Sequence, residues 1–141
     1  MCDQHDFIFD FEQAYNHQLL DKFEASPEHS LELDVAPRLK GVYALYHLGA
    51  FVYAGEALTT TLQRRLNEHF RKIVGRQNID HDDMACCYLV MDNDWFIHAA
   101  EAALIRHYQP LWQRSGFGSH VPGIGRPGIR ISQWDQMFPP R

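Results

Sequence analysis

Three stretches of the chain carry apolar residues at helical spacing. Phe11, Tyr15, Leu19 and Phe23 recur every fourth position, with Leu20 beside them, and predict a helix over residues 10–25 capped by Asp10. Leu62, Leu66, Phe70 and Ile73 predict a second helix over 59–73, capped by Thr59, Thr60 or Thr61 and ended by Gly75. Ile97, Leu104, Ile105 and Tyr108 predict a third over 94–108, capped by Asn93 or Asp94 and stopped by Pro110. Two other stretches read as strands. Runs rich in Val, Tyr and Phe flank a Gly-containing connection and predict a hairpin over 41–55. The near-continuous apolar run over 84–91 suits a strand in a central position, covered on both faces.

These elements predict an α+β domain in which a small, mainly antiparallel three-stranded sheet, the hairpin plus one further strand, is flanked by helices. Residues 1–40 read as an acidic arm and helix, 41–112 as the core, and 113–141 as a Gly- and Arg-rich loop and tail packing back on it. Within the first part, Phe7, Ile8 and Phe9 predict an arm that docks its aromatics, and Pro27, Pro37 and several acids mark 26–40 as a connector. The polar loop 76–83 reads as a turn, because its acidic tip lacks metal-ligand spacing. Five of the nine glycines fall between 116 and 128, interleaved with Arg114, His120, Arg126 and Arg130, and such long loops are usually functional or disordered. Ile129, Ile131, Trp134 and Phe138 then predict a returning tail.

The hairpin register decides what its tyrosines can do. Side chains alternate faces along a strand. A three-residue loop, Leu48-Gly49-Ala50, pairs His47 with Phe51 and Leu45 with Tyr53, and puts Tyr43 on the same face as Tyr53, one diagonal step away. A two-residue loop puts them on opposite faces. The first register is the one expected here.

Composition narrows the class. At 141 residues and 45% hydrophobic, the chain has enough apolar content for one core. It lacks any apolar run long enough for a bilayer and any signal peptide, so a cytoplasmic location is expected. Three cysteines, two of them adjacent, predict reduced thiols and no disulfide framework. The net charge of −5 argues weakly against nucleic acid. Its distribution argues back. Residues 1–40 hold nine acids against three bases, and the remainder holds nine against ten.

The candidate chemistry rests on Tyr43, Tyr53, Arg65, His69 and Glu101. Arg65 and His69 share a helix face at the edge of its apolar stripe. Glu101 falls in the middle of the third helix's stripe, where a carboxylate is costly unless paired or bound to a cation. Strand tyrosines and stripe-edge cations are individually ordinary, but the combination suits phosphodiester hydrolysis. A hard carboxylate holds Mg²⁺, Arg65 meets the nonbridging oxygens, and a phenol or imidazole takes the proton of the attacking water. A free phenol titrates near pH 10, so Tyr43 needs a neighbour such as His69 to act near neutrality. The sequence contains no G-x-S-x-G, H-E-x-x-H, zinc-finger pair or P-loop.

Gly41-Val42-Tyr43 and Tyr53-Ala54-Gly55, followed by Arg65-Leu66-Asn67-Glu68-His69 and by Glu101 in Ala99-Ala100-Glu101-Ala102-Ala103, resemble the GIY-YIG nuclease superfamily over residues 41–112. The tail from Pro110 to His120, with Pro122-Gly123, Arg126 and Ser132-Gln133-Trp134-Asp135, is similar to the Type II restriction endonucleases of that superfamily that cut CCGCGG. The resemblance implies that Tyr43 is the general base assisted by His69 and that Tyr53 positions water or phosphate. It implies that Arg65 binds the phosphate and Glu101 a single Mg²⁺, with Mn²⁺ as a substitute. Gln113 stands where the family usually has an Asn that helps hold the scissile phosphate, and Glu56 stands where relatives often carry Lys. Arg114, His120, Arg126 and Arg130 are the expected DNA contacts. The expected partner is double-stranded DNA read by a homodimer, with no membrane association. Two other readings are a structure-selective nuclease of repair or recombination, and a DNA-binding module that kept the fold without the chemistry.

Overall fold

The computed structural model describes residues 5–118 and 131–141. The predicted helices form as α1 (Phe11–Ala25), α2 (Leu62–Val74) and α3 (Asp94–Tyr108), with a short α4 (Gln133–Met137) in the tail. Their starts are chemically defined. Asp10, Thr61 and Asn93 each accept a hydrogen bond from a backbone N–H of the first turn, and Gly75 follows the end of α2. The strands are β1 (His29–Ser30), β2 (Gly41–His47), β3 (Ala50–Ala57) and β4 (Met84–Val90).

All pairings are antiparallel, in the order β1-β4-β2-β3. The sheet therefore has four strands where three are expected. The extra one is two residues of the connector, His29 and Ser30, paired with Cys86 and Ala85. Two residues give no periodic pattern, and Pro27 lies just before them.

The predicted loop register is corrected. His47 pairs with Ala50, not Phe51, so the turn is the two residues Leu48 and Gly49, with φ of +52° and +82°. The pairing then shifts between Leu45 and Tyr46, because Tyr46 faces Phe51 while Leu45 faces Tyr53. Val52 is the extra residue, a β-bulge. The bulge restores the pairing of Leu45 with Tyr53, so Tyr43 and Tyr53 still reach one face.

Alternation along β2 divides the interior in two. Tyr43 and Leu45 pack with Leu62, Leu66 and Ile73 of α2. Val42 and Ala44 pack with Leu19 and Phe23 of α1 and with Ala100 and Leu104 of α3. α2 therefore covers one face and α1 with α3 the other. The outer edge of β3 is not left open. Leu111 and Trp112 donate backbone N–H bonds to the carbonyls of Phe51 and Val52, at 3.4 and 2.7 Å.

The tail packs as expected where it is described. Trp134 is fully buried in the α2-side core with Trp112 and Phe117, and Phe138 lies against them. Lys72 of α2 and Arg76, just past its end, lie over the Trp134 ring at 4.8 and 5.0 Å, and Arg76 pairs with Asp135 at 2.8 Å. Ile131 is exposed. Ile129 lies outside the described residues. The N-terminal aromatics do not dock: Phe7 and Ile8 are 89% and 90% exposed, and Phe7 stacks on Phe9. Among the described residues no helix is long and apolar enough to cross a membrane.

Trp134→Ala is expected to lower the unfolding free energy by about 3–5 kcal/mol, the range for emptying a large aromatic site. Urea unfolding followed by circular dichroism checks this. A loss under about 1 kcal/mol would mean that the tail is not part of the cooperative core.

Candidate active site

The first layer is buried. Tyr43 is fully enclosed, and its hydroxyl lies 2.7 Å from His69 Nε2. When His69 carries its proton on Nδ1, the phenol donates to Nε2, which is the tautomer able to take the phenolic proton. Arg65 also bonds the Tyr43 phenol. Burial drives the Tyr43 pKa far above its ordinary 10, and the Arg65 guanidinium pulls back against that rise. Tyr53 and Tyr43 sit with ring centroids 6.3 Å apart, and the His69 ring is 5.4 Å from each.

Close packing holds these rings. Phe117 stacks on His69 at 4.9 Å and meets Tyr53 edge-on at 5.0 Å. Lys72 fixes Phe117 from α2 by donating to its carbonyl at 2.7 Å. Gly55 lies against the Tyr43 phenol so tightly that a Cβ there would sit 2.3 Å from its oxygen. Only glycine fits at this position.

The second layer is an open cleft of about 540 Å³ lined by Tyr53, Glu56, Leu58, Thr59, Thr60, Arg64, Arg65, Glu68 and Glu101. Arg65 and Glu101 come from helices on opposite faces of the sheet. They meet here because β3 is the edge strand of the sheet. Arg65 is paired with Glu68 at 3.1 Å, and Arg64 with the same carboxylate at 3.6 Å.

Glu101 is half-buried, and its pKa is pushed up to about 7, first by burial and then by the charge of Glu56; His98 and Arg65 oppose the rise. Burial also raises the Tyr53 phenol. A desolvated carboxylate facing another carboxylate is what a hard divalent cation stabilises, so the donor set fits Mg²⁺ or Mn²⁺. The Asp80, His81 and Asp82 side chains also come close enough to share an ion. They are exposed in the turn before β4, where Asp80 accepts from the Asp82 backbone N–H, and they do not line the cleft.

The structure thus brings Tyr43, Tyr53, Arg65, His69 and Glu101 to one end of the molecule, in two layers. Gln113 differs from expectation. Its carboxamide is spent on the main chain of β3, accepting from Ala54 N–H at 2.9 Å and donating to Ala54 C=O at 3.0 Å. In the free protein it completes the edge strand in place of a phosphate contact. Arg114 is exposed beside it. His120, Arg126 and Arg130 lie outside the described residues. Two residues of the site carry no signal that singles them out in sequence: Glu68, which pairs with both arginines, and Phe117, which packs against the imidazole.

This fold and this grouping define a GIY-YIG nuclease domain. Residues 53–141 match the Eco29kI GIY-YIG domain family, and the chain belongs to that family. Solved structures similar to it include the GIY-YIG N-terminal endonuclease domain of UvrC from Thermotoga maritima bound to magnesium, with 24% identity, a TM-score of 0.43, and coverage of 68% of this chain and 96% of that one. Another is a mutant of EndoII from bacteriophage T4, with 16% identity, a TM-score of 0.40, and coverage of 70% and 98%. No curated protein matches the sequence.

The raised pKa of Glu101 has a stability consequence. The folded pKa lies above the ordinary 4.5, so the group's contribution is fully present below about pH 4.5 and is lost as pH rises through about 7. Glu101→Gln, measured in EDTA, is expected to melt roughly a few degrees above wild type at pH 8 and to match it near pH 4.5. A difference that does not change with pH would contradict the burial argument.

Proposed function

We propose that this chain is a Mg²⁺-dependent, site-specific DNA endonuclease of the restriction type, with Mn²⁺ able to replace Mg²⁺. The observation that carries the reading is the meeting of Arg65 and Glu101, from opposite sheet faces, in a cleft floored by Tyr53 and backed by the Tyr43–His69 hydrogen bond.

Each residue then has a role set by its surroundings. Glu101 holds the cation, which when bound supplies charge neutralisation at the phosphate and at the leaving oxygen. Arg65 opens toward the cleft and binds the nonbridging oxygens, where negative charge gathers as water adds to phosphorus. Tyr43 accepts the water's proton as its own passes to His69. The P–O3′ bond breaks, the leaving oxygen takes a proton from solvent, and the products are a 5′-phosphate and a 3′-hydroxyl, with His69 later returning its proton to solvent. Tyr43 is sealed in the free protein, so its role requires Arg65, which bonds the phenol from the cleft side, to move onto the phosphate first. Tyr53, already at the cleft, positions the water or the phosphate. Gln113 holds the β3 edge behind the scissile phosphate and reaches that phosphate only if DNA draws its amide off Ala54. Arg114, His120, Arg126 and Arg130 are the proposed DNA contacts. A palindromic site such as CCGCGG requires two copies of the chain related by a two-fold axis.

Plasmid digestion with Mg²⁺ against EDTA tests the reading. Wild type is expected to give discrete fragments with Mg²⁺ and none with EDTA, and Glu101→Ala none in either. Tyr43→Phe is expected to cut about 10²–10⁴-fold more slowly, the range for losing a general base. Arg65→Ala should lose about 10²–10³-fold, as for a lost transition-state donor. Discrete fragments separate a restriction enzyme from a flap- or junction-selective nuclease. Retardation of DNA without products would mark a binding module, and equal behaviour of wild type and Glu101→Ala would refute the nuclease reading.

A further inference from the structure

Glu56 lines the cleft, and the scheme above gives it no role. It lies near the end of β3 opposite Val42, which places it on the sheet face toward α3. It lines the same cleft as Glu101. Its Oε2 is buried and has no hydrogen-bond partner among the described residues. The one ion-pair contact of that oxygen among the described residues is with His98, whose Nδ1 lies 3.5 Å from the same Oε2 on a side chain that is 73% exposed, while the Glu56 side chain is 25% exposed. The cleft's arginines do not supply the missing partner, since Arg64 and Arg65 pair with Glu68.

Glu56 and Glu101 line one cleft, and two carboxylates brought together repel one another. A buried carboxylate oxygen without a hydrogen-bond donor is costly as well. One largely exposed imidazole at the rim offsets little of either cost. A divalent cation would offset both together, because it takes hard oxygen ligands and its affinity rises with the number of charged ones. We infer that Glu56 supplies a second carboxylate to the cation held by Glu101, so that the site binds through two acids from two elements, β3 and α3. This rests on the nuclease reading above and deepens it. The bland alternative is that Glu56 serves only as the ion-pair partner of His98.

Mn²⁺ binding by the full chain without DNA, followed by loss of the free-ion electron paramagnetic resonance signal, separates these cases. Wild type is expected to bind one ion. Glu56→Gln, nearly the same shape, is expected to bind about tenfold more weakly, within the range for perturbing a metal site's support. Glu56→Asp, which keeps the charge but shortens the reach, should retain part of the affinity, and this guards against mistaking a folding defect for metal loss. His98→Ala should bind like wild type. If Glu56→Gln matches wild type while Glu101→Gln is weakened, the second carboxylate is refuted and the nuclease reading stands. If Glu101→Gln also matches wild type, or if wild type shows no saturable binding up to about 10 mM, the cation site itself is refuted and the nuclease reading falls with it.

Discussion

Two antiparallel strands joined by a two-residue turn place Tyr43 and Tyr53 on opposite faces unless one strand carries an extra residue. Val52 is that residue. The bulge is a local irregularity with a large consequence, because a one-residue change of register inverts every side chain beyond it. Without it Tyr53 would point toward α3 and leave the His69 ring with one phenol neighbour. With it, Tyr43, Tyr53 and His69 form a triangle of rings under α2. Val52 and Tyr53 consequently both belong to the core on that face.

Electrostatics then follows from where the sheet ends. A sheet separates whatever lies on its two faces, so Arg65 and Glu101 can share a cleft only around the edge strand. The two environments differ. The carboxylate is half-buried beside a like charge, whereas the guanidinium is paired with Glu68 and its charged form is favoured. An arrangement like that of the carboxylate reduces stability and persists where a ligand makes up the difference. Glu56, Glu68 and Glu101 line the cleft together with Arg64 and Arg65, and both arginines are drawn to Glu68, which leaves Glu56 and Glu101 as the carboxylates they offset least.

Much of this was legible in the residues. Glu101 stood out because a carboxylate interrupted an apolar stripe, and Arg65 and His69 because they flanked one. The helix caps at Asp10, Thr61 and Asn93 follow from side-chain chemistry within three residues, so they needed no tertiary knowledge. What escaped depends on distant partners. The bulge at Val52 has no composition of its own, and two-residue β1 exists only because β4 offers an edge. The Gln113 amide finds Ala54 across 59 residues of sequence. Tyr43 read as a site phenol, and the depth of its burial, enclosed by Gly55 and α2, could not be seen from its strand alone.

The same dependence on distance ties residues 113–141 to the elements before them. Trp112, Phe117 and Trp134 share a core cluster with Tyr43 and Tyr53. Lys72 on α2 and Arg76 just beyond it grip Trp134, and Lys72 also grips the carbonyl of Phe117. Phe117 in turn stacks on His69. The imidazole is thus braced on one side by its own helix and on the other by a segment nearly fifty positions later, which is itself held by that helix. A family match running to residue 141 fits this arrangement, since the tail supplies a wall of the site. Cations along and just beyond α2 are thus divided by height: Arg65, near the helix start, faces the cleft, while Lys72 in the last turn and Arg76 just past the end hold the aromatic wall that packs on His69.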